Sequence, residues 1–269
     1  MVWVPDLSEA SMRTIFTAIL EGFLGQNESS GLNIVAEPVI KASVDLYQQT
    51  REDFLPTPAK CHYTFNLRDL SKVVQGILMI SLQNLEDKAS LVHLWIHETY
   101  RVFRDRLVDQ ADRDRYSQLA HEKLEHYLDM EWVLKDYENL LFGDYESADK
   151  QYVKLAEATA LIPRLDQQLE VYNVDNAPMN LVFFEDCIQH LTRIARVLRQ
   201  QRGNAMLVGV GGSGRRSMAR LAAHMNEMKT FSIEITKSYR EKEFHEDIRG
   251  LLRSAAIDNL PQVFLFSDT

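Results

Sequence analysis

Through the first half of the chain, apolar residues recur every three or four positions, the spacing that lines one face of an α-helix. Met12, Ile15, Phe16, Ile19, Leu20 and Phe23 follow a Ser cap signal at Ser8 and predict a helix over 8–24. A polar loop at 25–31 separates it from a second predicted helix over 34–47. Pro56 and Pro58 forbid helix continuation across 54–59. Asn66 can cap a third helix running through Leu70, Val73, Val74 and Ile77. A fourth is predicted over 91–107, with Val92, Ile96, Tyr100, Phe103 and Leu107 on one face and Arg101, Arg104, Asp105 and Arg106 crowding the remainder. Residues 113–142 read as a further charged helix carrying Tyr116, Leu119, Leu124, Tyr127 and Leu128.

The pattern changes near residue 175, where 173–178 looks like the end of a linker. A helix follows, with Phe184, Cys187, Ile188, Leu191, Ile194, Ala195 and Leu198 on one face and Asp186, Gln189, His190, Arg193, Arg196 and Arg199 on the other. The short apolar run 205–208 predicts a strand entering a glycine cluster. Residues 231–235 alternate like a strand, 263–266 form a continuous apolar run, and a helix is predicted between them over 241–256. Strands alternating with helices indicate an α/β unit with a parallel sheet. No repeat at solenoid periods and no low-complexity tract is present.

Composition narrows the classes. Of 269 residues, 30 are Lys or Arg and 39 Asp or Glu, for a net charge of −9. Nucleic acid held by bulk charge needs a basic surface, so such a partner is not expected. The 45% apolar and 26% charged fractions are ordinary for a globular chain. Two cysteines, Cys61 and Cys187, cannot build a disulfide framework or a four-thiolate zinc site, and a reducing compartment is the simplest expectation. No run approaches the length of a membrane span, and the first residues lack the basic and apolar regions of a secretory signal.

The informative segment is 206–217, MLVGVGGSGRRS, followed by a helix with Met218, Leu221, Ala222, Met225 and Met228 on one face. Strand, glycine loop and helix start are the parts of a phosphate-binding P-loop. The glycines let backbone N–H groups wrap a phosphate, and the helix dipole favours its charge. Gly209 and Gly214 have the required spacing, with Gly211, Gly212 and Ser213 between them. The usual Lys is Arg215 and the usual Ser/Thr is Arg216, so the hydroxyl that should ligate Mg²⁺ is missing from its place. Ser217 comes one residue late, about 100° further round the helix. Downstream, the apolar strand ending at Asp268 has the form of a Walker B strand, whose carboxylate holds Mg²⁺ through water. A catalytic Glu would come next; the chain has Thr269.

At this point the residues resemble a known family, the dynein heavy chains, especially axonemal (ciliary) ones. The stretches that carry the resemblance are 178–186 (PMNLVFFED), 199–214 (RQQRGNAMLVGVGGSG), 264–269 (FLFSDT), 57–72 (TPAKCHYTFNLRDLSK) and 94–107 (LWIHETYRVFRDRL). They are similar to the end of the third and the start of the fourth AAA+ module of the motor ring. The resemblance implies an α plus α/β chain: a helical AAA+ small (lid) domain at 1–150, a linker at 151–177 and a truncated P-loop AAA+ large domain at 178–269. It implies a strand, beyond Thr269, between the strands carrying 206–208 and 263–266. It implies ATP or ADP with Mg²⁺ as ligand, held by Gly209, Gly211, Gly212, Ser213, Gly214, Arg215, Arg216, Ser217 and Asp268. Arg68 matches a sensor position that reaches the phosphate of its own module, and Val182 and Phe183 match an adenine-lining segment. The family's fourth-module loop reads Gly-Lys-Gln-Ser where this chain has Gly-Arg-Arg-Ser, so the late Ser is familial and Arg215 is a departure. Implied partners are the rest of a heavy chain and the subunits of a dynein complex, with microtubules reached only through regions outside this stretch. Nucleic acid and membrane are not implied, and the implied location is the cytoskeleton of the ciliary axoneme.

Three readings follow. The first is a nucleotide-linked segment of a microtubule motor that does not itself hydrolyse ATP. The second is a scaffold or interaction protein that keeps the fold without ATP chemistry. The third, an independent small P-loop kinase or NTPase, needs Lys at 215, a hydroxyl at 216 and the rest of its sheet, and fits least. An open reading frame extending far in both directions separates the first from the second. His93 and His97, spaced i, i+4 beside Glu98, lack the order and third ligand of a metal site and are expected to be structural. The arginines of 101–106 are expected to form an ion-paired helix face rather than a phosphate site.

Overall fold

The computed structural model describes residues 6–27, 31–130, 137, 139–146 and 149–267. The chain divides into two compact units, one of residues 1–144 with 149–155, the other of 145–148 with 156–269. It is largely helical with small sheets, the α plus α/β class expected from the pattern.

The first unit is built from helices α1 (Glu9–Leu24), α2 (Asn33–Asp53), α3 (Leu67–Ile77), α4 (Lys88–Val102) and α5 (Gln110–Leu128). Ser8 caps α1 by accepting from the Ser11 amide at 3.2 Å, and Met12, Phe16, Leu20 and Leu24 are buried at the expected spacing. Asn66 opens α3 through a reciprocal capping box: its side chain accepts from the Arg68 amide at 2.9 Å, and its own amide donates to Asp69 Oδ2 at 3.0 Å. Such a cap contributes about 1 kcal/mol by satisfying amides that a helix start leaves without partners. Val92, Ile96, Tyr100, Phe103 and Leu107 are all buried, as their spacing requires. Helix α4 itself closes at Val102, and Phe103 leads into a short 3-10 turn over Arg104–Arg106.

The core of this unit gathers Leu20, Val39, Leu46, Val73, Ile77, Leu91, Trp95, Tyr116 and Leu124. Each such side chain contributes about 1.5–3 kcal/mol through removal from water. Several polar groups inside it are paired. Trp95 Nε1 donates to Ser43 Oγ at 2.8 Å, and that hydroxyl donates to the Val39 carbonyl at 2.7 Å. Tyr152 Oη donates to Glu98 Oε1 at 2.9 Å, and His97 Nδ1 lies 3.0 Å from the same oxygen. The arginine cluster is ion-paired: Arg101 with Asp105 at 2.9 Å, Arg106 with Asp69 at 3.1 Å.

The helix expected over 113–142 is shorter. α5 ends at Leu128, where Asp129 takes a left-handed φ of 46°, a conformation Asp tolerates better than most residues. Residues 131–136 and 138 of that expectation lie outside the described residues. Phe142 belongs instead to strand β1 (Phe142–Gly143), paired antiparallel with β2 (Val153–Lys154). Helical spacing cannot announce such a change, because Leu140, Leu141 and Phe142 form an apolar run that suits a buried strand as well as a helix.

In the second unit, a 3-10 turn over Ala158–Leu161 leads into α6 (Ile162–Asp175), then α7 (Glu185–Arg199) and α8 (Arg215–Met225). The stretch expected as a linker therefore holds β2, that turn and α6. Cys187, Ile188, Leu191, Ile194 and Ala195 are buried on α7, facing α8 residues that include Leu221, Ala222 and Ala223. Two residues at α7 depart from the expected faces. Phe184 precedes the helix and is 60% exposed, whereas Arg196 is buried. Strand β3 (Lys229–Phe231) pairs in parallel with β4 (Gln262–Phe264), and Phe231 lies opposite Phe264 with ring centroids 5.7 Å apart. Helix α9 (Glu241–Ala256) connects them and has no buried residue.

Two expected strands are corrected. Residues 205–208 form no strand: Met206 and Val208 are exposed, and no backbone ladder partner pairs with them among the described residues. Of 231–235 only Phe231 is in a strand, and Ile235 is exposed. Apolar alternation marks a face that could pack, but a strand forms only where a neighbour supplies the ladder.

Candidate functional site

The glycine cluster makes a sharp curl between residue 209 and the first turn of α8. Gly212 and Gly214 have φ of +79° and +74°, a region L side chains rarely adopt. Gly214 is the N-cap of α8, and its carbonyl accepts the first helical bond, from the Met218 amide at 2.9 Å. A side chain built at Gly211 or Gly212 would meet nothing within 4 Å, so the outer wall of the curl is open. The Ser213 amide reaches the Val210 carbonyl at 3.4 Å and closes the turn.

Arg215 folds back against this curl. Its Nη1 donates to the Leu207 carbonyl at 3.4 Å and its Nη2 to the Val210 carbonyl at 3.1 Å. The side chain also lies beside Gly209, where an added Cβ would sit 3.6 Å from Arg215 Cδ and 3.7 Å from Nε. Arg216 is exposed, Ser217 is half-buried, and Ser213 is exposed. The structure thus brings Gly209, Gly211, Gly212, Ser213, Gly214 and Arg215 into one curl, with Arg216 and Ser217 in the adjoining first turn. The guanidinium clasp on two loop carbonyls is not legible from the sequence, where Arg215 stands only as a replacement for Lys.

The remaining candidates are placed as follows. Asp268 and Thr269 lie outside the described residues. Phe183 is buried, whereas Val182 is 82% exposed and lines a recess of about 360 Å³ with Asp166, Leu169, Glu170 and Met179. Asn173 holds the segment leading to Val182: its Nδ2 donates to the Met179 carbonyl at 3.0 Å, and its Oδ1 accepts from the Met179 amide at 2.8 Å. That clamp was not anticipated, and an Asn near a helix end carries no signal for it. Arg68 belongs to the first unit, exposed at the start of α3, where its amide joins the Asn66 cap. His93 lies against the Tyr137 ring at 5.4 Å.

Among the described residues the loop fits a phosphate and offers Mg²⁺ no hydroxyl in the usual place, while Asp268, the expected Mg²⁺ ligand, lies outside them. Open, left-handed glycines and a helix start suit an anion of phosphate size. The position that should offer Mg²⁺ a hydroxyl instead offers Arg216, a cation with no lone pair. Among the described residues, no group of three or more His, Cys, Asp or Glu could hold a metal ion. No helix among them is long and apolar enough to cross a membrane.

Comparison with known proteins bears on both units. The model of a family described as "P-loop containing dynein motor region D4" matches residues 179–269, and that of the "AAA+ lid domain" matches 39–137. The chain is 41% identical to dynein axonemal heavy chain 1 of Mus musculus over 98% of its own length. It is 40% identical to dynein axonemal heavy chain 6 of Homo sapiens over 100% of its length. Against the dynein-1-beta heavy chain, flagellar inner arm I1 complex, of Chlamydomonas reinhardtii, the identity is 38% over 97%. In the same three comparisons the chain spans 7%, 7% and 6% of the relative's length.

Proposed function

The chain belongs to the dynein heavy-chain family, and from that premise we propose that it forms part of the AAA+ motor ring of an axonemal dynein heavy chain. In this reading residues 1–150 are the lid of one module and 178–269 the P-loop part of the next. The ring segment serves nucleotide-linked, microtubule-based motility in the ciliary axoneme. Its partners are the remainder of a heavy chain and other subunits of a dynein complex. Microtubules are met through other regions of that heavy chain, and neither nucleic acid nor membrane is a partner.

The observation that carries the nucleotide part of this reading is the curl at Gly212 and Gly214 running into the start of α8. It supports a site for the phosphates of ATP or ADP. Arg215, Arg216 and Ser217 surround that site, Val182 and Phe183 stand toward the base, and Arg68 serves the preceding module. Catalysis of phosphoryl transfer rests on positioning and charge at the γ-phosphate. With Arg216 in the hydroxyl position and Thr269 where a catalytic Glu belongs, the chain holds nucleotide without turning it over. The same residues favour the second reading, a degenerate, non-hydrolysing dynein-like scaffold or interaction protein.

A phosphate-release assay paired with titration of a fluorescent ADP analogue tests this. Binding without turnover is expected. Turnover above ~0.1 s⁻¹ that vanishes on Asp268→Ala overturns the non-hydrolysing reading. A folded chain that binds no nucleotide overturns the phosphate role.

A further inference from the structure

We infer that the recess beside α6 is a docking site for a lysine or arginine side chain borne on an apolar-flanked segment of a partner protein. The recess lies within the second unit and holds about 360 Å³. This occupant is independent of the phosphate-binding reading, although Val182 stands in both.

Charge and shape point the same way. Asp166 and Glu170 stand one turn apart on α6, and both line the recess. Both are exposed, and among the described residues neither carboxylate accepts a hydrogen bond or meets a cation at ion-pair distance. Like charges one turn apart on a helix repel each other, and a cation between them removes that cost. The remaining wall is largely apolar, from Leu169, Met179 and Val182. Val182 is 82% exposed, so an apolar rim stands open to water. The wall at Met179 is set before any occupant arrives: Asn173 donates to the Met179 carbonyl at 3.0 Å and accepts from the Met179 amide at 2.8 Å. Apolar walls with a pair of carboxylates complement a side chain that has an apolar stem and a cationic head. The volume is at the small end for a bound organic molecule and suits one long side chain. Two carboxylates repel the phosphates of a nucleotide. A metal ion would find only those two, since no group of three or more His, Cys, Asp or Glu could hold one among the described residues. The net charge of −9 draws a basic segment toward the chain.

The test is fluorescence anisotropy of the full chain titrated against a fluorescein-labelled peptide that alternates leucine with arginine. Binding is expected below ~1 mM, and its absence there overturns the docking site. Two double variants separate the recess from bulk charge. Asp166→Asn with Glu170→Gln removes both recess carboxylates. Glu52→Gln with Glu86→Gln removes two exposed carboxylates from the first unit, for the same change in net charge. The recess pair is expected to weaken binding at least about fivefold more than the control pair. A smaller difference means attraction to the acidic surface as a whole and overturns the site. All four residues are exposed, and a circular dichroism spectrum matching the parent establishes that each variant is folded. Competition then separates the occupants. Peptide affinity is expected to hold within about twofold in millimolar ADP and, at matched ionic strength, in millimolar Ca²⁺. Greater displacement by ADP gives the recess to the nucleotide base, and greater displacement by Ca²⁺ gives it to a metal ion; either result overturns the inference. A chain that binds the peptide but no nucleotide leaves this docking site standing while the phosphate reading falls.

Discussion

Replacing Tyr152 with Phe removes one oxygen from the core of the first unit. Tyr152 is 1% exposed, its ring centroid 6.0 Å from that of Phe142, and its hydroxyl donates to Glu98 Oε1 at 2.9 Å. Glu98 is fully buried, and His97 Nδ1 lies 3.0 Å from the same oxygen. Tyr152→Phe keeps the ring packing and deletes the donor, so the change isolates the hydrogen bond. A buried acceptor that loses one partner costs about 1–2 kcal/mol, between the values for neutral and charged acceptors. His97 still meets that oxygen, which keeps the loss from running higher. At roughly 2–4 °C per kcal/mol for a domain of this size, the melting midpoint falls by about 2–8 °C. Trp3, Trp95 and Trp132 all lie within 1–144, so tryptophan fluorescence during urea unfolding follows this unit alone. The Glu98→Gln variant and the double variant complete a cycle, in which coupling of at least ~0.5 kcal/mol is expected. A Tyr152→Phe stability within about 0.3 kcal/mol of the parent, at equal denaturant slope, refutes the reasoning.

Gly203→Ala should disrupt the second unit, because an added Cβ would lie 1.8 Å from the Val197 carbonyl oxygen and force the end of α7 to move. A cost of ~1–3 kcal/mol is expected, read as faster hydrogen exchange along α7; unchanged exchange there refutes it. Burial raises the pKa of Asp112, but bonds from Lys60 and Tyr63, with the Lys60 charge, outweigh it and hold the carboxyl below its ordinary value. Its contribution is therefore complete above the unfolded pKa of about 4 and is lost as pH falls through the lower folded value. Asp112→Asn should flatten the loss of urea stability below about pH 4, and an unaltered acid slope counts against it. Residues 205–210, where Met206, Val208 and Val210 are exposed, should exchange amide hydrogens at least about a hundredfold faster than α3 and α4. Equal protection would mean that this segment is paired after all.

The helices of the first unit were legible because each buries one stripe. Met12, Phe16 and Leu20, and Val92 to Leu107, carry the core at the positions their spacing names, whereas Ile15 and Ile19 of the first stripe are exposed; Asn66 caps where a short polar side chain is needed. The ends were less legible: α5 stops at Leu128 through a left-handed Asp129, a local turn that apolar spacing does not encode. In the second unit, the glycine curl followed from the letters, since only Gly takes the φ of residues 212 and 214 without strain. The strand expected at 205–208 did not, because strand formation depends on a partner elsewhere in the chain. Arg215 was visible as a substitution, but its clasp on the carbonyls of Leu207 and Val210 depends on how the loop bends back over seven residues, which no local pattern states.

That clasp has a kinetic consequence. A glycine-rich loop samples many backbone conformations when nothing holds it, and a ligand that must order it loses affinity to that entropy. Two carbonyl bonds from one side chain, together with the start of α8, hold the curl in a single shape before any ligand arrives. An incoming anion then meets a preorganised cradle, and its association rate is set by diffusion and electrostatic attraction rather than by loop closure. Stopped-flow traces should accordingly show a single phase whose rate rises linearly with ligand concentration, without the plateau that a slow rearrangement of the loop would impose.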